Sequence, residues 1–181
     1  MSKAAKKESA KVKLDGNGSN GTVALTIDRE TNASDQDHTS LRLWLRLLTC
    51  TTMIENYVRG KLREAFDTTL PRFDLMAQLA RHPEGLKMRE LSELLMVSGG
   101  NVTGITDQLE KDGLVERLTL PGDRRAWKVS LTKAGFETFE QMAATHETWI
   151  VELLSGLTGD EQHEIYALLG QLKAAIHEKI S

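Results

Sequence analysis

A single cysteine, Cys50, stands in 181 residues, so no internal disulfide framework exists, and no apolar run approaches the length that a bilayer span needs. The N-terminal lysines lie among polar residues without the apolar stretch of about seven or more residues that secretion requires, so the expected location is cytoplasmic, with no membrane contact. His38, His82, His146, His163 and His177 are scattered, and no two share the four-residue spacing that puts two metal ligands on one helix face. Gly99-Gly100 lacks the following lysine and the strand context of a phosphate loop, and no Ser/His/Asp or Cys/His arrangement is signalled. Neither catalysis nor a cofactor is expected.

Surplus positive charge is also missing. The net charge is −3, and residues 84–133 set eight basic side chains against eight acidic ones. The local distribution differs: between 122 and 133, Arg124, Arg125, Lys128 and Lys133 face Asp123 alone. Phosphate contacts depend on such clusters more than on total charge.

What is present is a pattern of apolar spacings. Leu91, Leu94 and Leu95 mark one face of a short helix that Met96-Val97 closes, and Ser98 is a natural N-cap for the next. In that second helix Val102, Ile105 and Leu109 recur at three and four residues, leaving Asn101, Thr103, Thr106 and Gln108 on the other faces. Asp112-Gly113 ends it, since glycine readily takes the left-handed conformation at a helix C-terminus. Residues 114–119 and 126–131 read as two strands around a turn at Pro121-Gly122-Asp123, and Thr132 is placed to cap a further helix with Gly135 in its first turn. Helix, turn, helix and hairpin in this order spell a winged helix-turn-helix.

This arrangement points to DNA. A helix displaying short polar side chains fits the major groove, where every base pair presents a distinct pattern of donors and acceptors. Ser98, Gly99, Gly100, Asn101, Thr103, Gly104 and Thr106 are the candidate contacts there, the glycines allowing close approach. At the hairpin tip, Asp123, Arg124 and Arg125 suit a narrow minor groove, whose concentrated negative potential attracts a guanidinium. The alternative for an isolated Asp-Arg-Arg is a solvated charged turn, and the preceding helix pair argues against it.

From about Leu41 to the C-terminus the chain resembles the MarR family of dimeric regulators. The residues carrying the resemblance are Glu90 to Leu95, Val102 to Val115, and Asp123-Arg124-Arg125 followed by Val129 to Gly135. The resemblance implies a mainly α fold with a small β-wing, a recognition helix from Ser98 to Lys111, and Arg125 entering the minor groove beside Asp123. Gly104 stands where many members carry arginine, which shifts expected base readout to Asn101, Thr103 and Thr106. Residues 41–46 and 68–74 resemble members controlling breakdown of aromatic acids such as hydroxycinnamates or benzoate. The implied effector is an aromatic acid or its acyl-coenzyme A thioester, and its binding would release a repressor from its operator.

The expected organisation is a flexible basic and polar arm over residues 1–38, then a single MarR-like domain over 39–181. A winged helix at about 70–133 is flanked by dimerisation helices at about 39–66 and 133–181. Lys3, Lys6, Lys7, Lys11 and Lys13 in the arm are either a solubilising tail or extra phosphate contacts. Three amphipathic stripes, from Trp44 to Leu62, Phe136 to Leu154 and Ile165 to Ile176, exceed what a small domain needs for its own core. Pairing with a second copy about a two-fold axis follows, with half-sites about 10 base pairs apart in double-stranded operator DNA. The effector pocket implied by the family would draw on Arg42 and Arg46, four apart on one helix face, with Arg72 and the aromatic side chains of Trp44, Phe73 and His146. Solvated arginines and packed aromatics are the plainer reading of the same residues. Two other functions are weighed beside this one. Cys50 as a peroxide sensor lacks an adjacent cation and reads as a buried small apolar residue, and a winged helix used only for protein contact would not need the wing arginines.

Overall fold

The computed structural model describes residues 38–120 and 123–180, and for Leu120 and residues 123–126 it describes the backbone alone. Residues 1–37 of the expected N-terminal arm and the Pro121-Gly122 turn lie outside the described residues, as do the side chains of Asp123, Arg124 and Arg125. The chain divides into two units, residues 1–46 and 47–181.

Six helices and three strands are described: α1 (Thr39–Phe66), α2 (Leu70–Ala80), β1 (Leu86–Lys87), α3 (Met88–Leu95), α4 (Gly99–Lys111), β2 (Val115–Leu120), β3 (Asp123–Leu131), α5 (Lys133–Leu154) and α6 (Gly159–Ile180). The sheet is antiparallel with order β1-β3-β2. The sequence predicted a two-stranded wing, and the structure adds β1, in which Leu86 pairs with Val129 and Lys87 with Lys128. A two-residue strand has no periodicity to betray it. None of the described helices is long and apolar enough to cross a membrane.

The core of the second unit is built from α1 to α5 and the three strands. Leu75, Met76 and Leu79 of α2, Leu91 of α3, Val102 and Leu109 of α4, Val129 of β3 and Leu62 of α1 are at most 1% exposed. Pro71 lies in the first turn of α2, where its missing N–H has no intrahelical partner to lose. Glu90 accepts a hydrogen bond from the Lys87 backbone N–H at 2.7 Å, fixing the start of α3. At the end of α4 the Leu114 N–H donates to the Leu109 carbonyl and the Gly113 N–H to the Glu110 carbonyl, with Gly113 at φ 72°. This paired closure satisfies orphan carbonyls and turns the chain into β2.

Thr132 then gathers three elements at one point. Its Oγ1 accepts from the Gly135 N–H at 3.0 Å and donates to the Gly113 carbonyl at 2.8 Å, while its own N–H donates to the Leu114 carbonyl. The end of α4, the base of the wing and the start of α5 are thereby held together. Along α5, Gly135, Met142 and Trp149 face inward at seven-residue intervals. By contrast α6, 22 residues long, has no buried residue.

Candidate nucleic-acid interface

Asn101, Thr103, Gly104 and Gln108 of α4 are all exposed, as are Ser98, Gly99 and Gly100 at its start. Ser98 occupies the N-cap, though its side chain makes no capping bond; its carbonyl instead accepts from the Asn101 and Val102 N–H groups. A Cβ added at Gly99, Gly100 or Gly104 would meet nothing within 4 Å among the described residues. The helix therefore does not need these glycines for its own packing, and glycine inside a helix costs about 1 kcal/mol relative to alanine.

Thr106 corrects the sequence reading. It is fully buried, on the Val102-Thr106-Leu109 stripe, with its hydroxyl directed at the Met88 sulfur 3.9 Å away. A side chain in that position cannot reach a base edge. Ile105, expected on the packing face, is only half-buried, so α4 is rotated toward placing Thr106 inward, while Gln108 is outward as expected. Gln108 shares a face with Asn101 and Gly104, at spacings of three and four, and joins the surface that Thr106 leaves.

Arg117 of β2, which sequence reasoning passed over, is the most heavily engaged cation described near this surface. Its guanidinium donates to both the Asp107 and Glu110 carboxylates of α4. It also lies over the Trp127 ring of β3, 4.6 Å from the centroid. Trp127 faces Thr119 across the β2–β3 ladder.

The residues assigned to an effector fall in both units. In the first, Arg42, Trp44 and Arg46 lie near the start of α1, with Trp44 57% exposed. In the second, Phe73 is buried, its ring 5.0 Å from His146 and 5.6 Å from Phe139. His146 also borders an open cleft of about 430 Å³ with Ile150, Val151, Leu154 and Gln162. Arg72 is engaged internally, donating to Asp112 at 2.5 Å. That pair joins α2 to the residue ending α4 and places a cation against the helix's negative C-terminal end. Cys50 is exposed, which corrects the expectation of a buried thiol.

Burial lowers the His146 pKa from the ordinary 6.5. The unfolded chain then binds a proton more readily than the folded one, so the stability contributed by neutral His146 is present above about pH 6.5 and is lost as pH falls below it. The thermal midpoint of the protein is expected to drop between about pH 7.5 and about pH 5.5, and less so for His146→Gln. Equal pH profiles for the two proteins would remove His146 as a cause.

Residues 68–127 match the MarR family. Over 126 residues the chain is 32% identical to the Bacillus subtilis HTH-type transcriptional regulator YkoM, covering 69% of this chain and 78% of the other. It is 30% identical over 132 residues to the transcriptional activatory protein BadR of Rhodopseudomonas palustris, covering 71% and 75%. The crystal structure of a MarR family transcriptional regulator from Silicibacter pomeroyi superposes with a TM-score of 0.68 at 33% identity, covering 80% of this chain and 99% of that one. With the helix-turn-helix and three-stranded wing already traced through its residues, this protein is a winged-helix transcriptional regulator, not an enzyme, and it belongs to the MarR family.

Proposed function

We propose that the chain acts as a homodimeric repressor of aromatic-compound breakdown, bound to an imperfectly palindromic operator and released by an aromatic acid or its acyl-coenzyme A thioester. The observation carrying the DNA part is the exposed face of α4, polar and lined with glycines whose added Cβ would meet nothing within 4 Å among the described residues. Such a face suits close approach to base edges, with Asn101, Thr103 and Gln108 as readers, and Ser98, Gly99, Gly100 and Gly104 letting the backbone near. Asp123, Arg124 and Arg125 at the wing tip are assigned to the adjacent minor groove. In organisation, residues 1–38 are read as an arm, about 70–133 as the winged helix, and about 39–66 with 133–181 as dimerisation helices.

For the effector, Arg42, Trp44 and Arg46 in the first unit are read as suiting an anion beside an aromatic group, and the Phe73–His146 pair in the second unit is by itself read as suiting an aromatic group. Within the second unit, Arg72 takes an anion only when that anion displaces Asp112 from it. Exposure of Cys50 supports one second reading, release by thiol oxidation.

Fluorescence anisotropy of a labelled fragment from beside the protein's own gene tests these assignments. Arg125→Ala is expected to weaken binding by about 10-fold or more, on the scale of a lost arginine contact, while the dimer stays intact. Unchanged affinity ends the wing assignment. Release by benzoyl-coenzyme A but not benzoate favours a thioester, the reverse favours the free acid, and release by peroxide that Cys50→Ser abolishes supports the thiol reading. A relative described as activatory makes transcription from the same fragment the check on repression.

A further inference from the structure

Arg117 makes contacts that no other described side chain combines: both acidic residues of one face of the recognition helix α4, and the indole of the returning wing strand. We propose that Arg117 is a positioning residue that sets the wing hairpin against the recognition helix and so fixes the distance between major-groove and minor-groove contacts.

The chemistry suits arginine specifically. A planar guanidinium presents donors in a rigid fork, so one group holds two carboxylates while its face stacks on an aromatic ring. Asp107 and Glu110 lie three residues apart, side by side on α4. Trp127 is across from Thr119, two residues along β2 from Arg117, so the stack involves the part of the hairpin leading to its tip. The Arg117 side chain is 30% exposed, which shields these interactions from solvent more than an ordinary surface pair. Moving the hairpin away from α4 requires breaking the fork or the stack.

The same contacts have an electrostatic side. Asp107 follows Thr103 by one helical turn, and an uncompensated carboxylate there would repel DNA phosphates. Neutralisation alone, however, would be achieved by removing the acids, whereas positioning needs the arginine itself. The two roles separate by mutation.

The inference rests on the DNA-binding surface proposed above, and its test distinguishes the two. Hydroxyl-radical footprints of a fragment of about 200 base pairs from beside the gene, at saturating protein, are compared for the wild type, Arg117→Gln, Arg117→Lys and the triple variant Asp107→Asn/Glu110→Gln/Arg117→Gln. Positioning predicts an affinity loss of about 10-fold or more in all three variants, with protection lost at the flanking minor-groove steps and kept over the central major-groove steps. Lysine fails because a point charge cannot grip both carboxylates and lie flat on the indole. A variant that merely unfolds loses both zones of protection together, and circular dichroism identifies it. Recovery of wild-type affinity by the triple variant, or an intact flank in Arg117→Gln, overturns positioning. A wild type that protects no part of the fragment overturns the DNA reading as well.

Discussion

Gly135→Ala is expected to destabilise the protein by about 3 kcal/mol or more, because overpacking that moves backbone lies at the costly end of such changes. A Cβ at Gly135 would stand 1.8 Å from the carbonyl oxygen of Leu114 and 2.8 Å from its carbon. No rotamer relieves this, since both clashing atoms belong to the main chain. Leu114 cannot retreat freely either: its carbonyl accepts from the Thr132 N–H and its N–H closes the end of α4. Thermal unfolding should fall by about 10 °C at this chain length, or the variant should fail to accumulate as folded protein. Gly60 supplies the control. It lies exposed within α1 with nothing within 4 Å of an added Cβ among the described residues, so Gly60→Ala should gain up to about 1 kcal/mol from helix propensity. An unchanged or raised midpoint for Gly135→Ala would show that the α4–wing–α5 junction yields, and that it does not fix the base of the wing.

That junction also marks how far the sequence could be read. Gly113 and Thr132 were legible because each has a local signature, a left-handed helix end and an N-cap, and the recognition helix was placed to within a residue of its observed start. The contact between Gly135 and Leu114 was not, since it depends on how closely two elements 21 positions apart approach each other. Thr106 went astray for a different reason. Val102, Ile105 and Leu109 satisfy helical spacing as well as Val102, Thr106 and Leu109 do, and hydrophobicity favoured isoleucine. The observed rotation buries threonine and sets its hydroxyl toward the Met88 sulfur, a partner 18 residues away. Arg72 and Arg117 illustrate the same limit for charge: their partners lie 40 positions away in one case and 7 and 10 in the other. A sequence shows that an arginine is present, and only the fold shows whether a ligand, a nucleic acid or an internal carboxylate occupies it.

Leu172→Asp combined with Ile176→Asp is expected to convert the protein to a monomer at about 10 μM and to weaken operator binding by about 100-fold or more, since a lone half-site forfeits the effective concentration of a linked partner. The reasoning starts from α6. Its 22 residues include none that are buried, yet Ile165, Leu168, Leu169 and Ile176 are 43 to 55% exposed and recur with Leu172 on one side of the helix. Isolated helices in water are marginal, and an apolar stripe of this length gains little until something covers it. Leu41, Leu43 and Trp44 at the start of α1 add further exposed apolar surface. A second copy supplies the missing cover in the proposed dimer, and two carboxylates placed in such an interface would lose hydration without gaining partners. Sedimentation velocity reads the association state directly. Should the double variant unfold instead, the wild type still decides: an interface holding α6 makes the thermal midpoint rise with protein concentration, whereas a helix stable by itself leaves it constant. A double variant that remains dimeric and keeps its operator affinity would remove α6 from the interface, and the proposed pairing of recognition helices would then need a different two-fold axis.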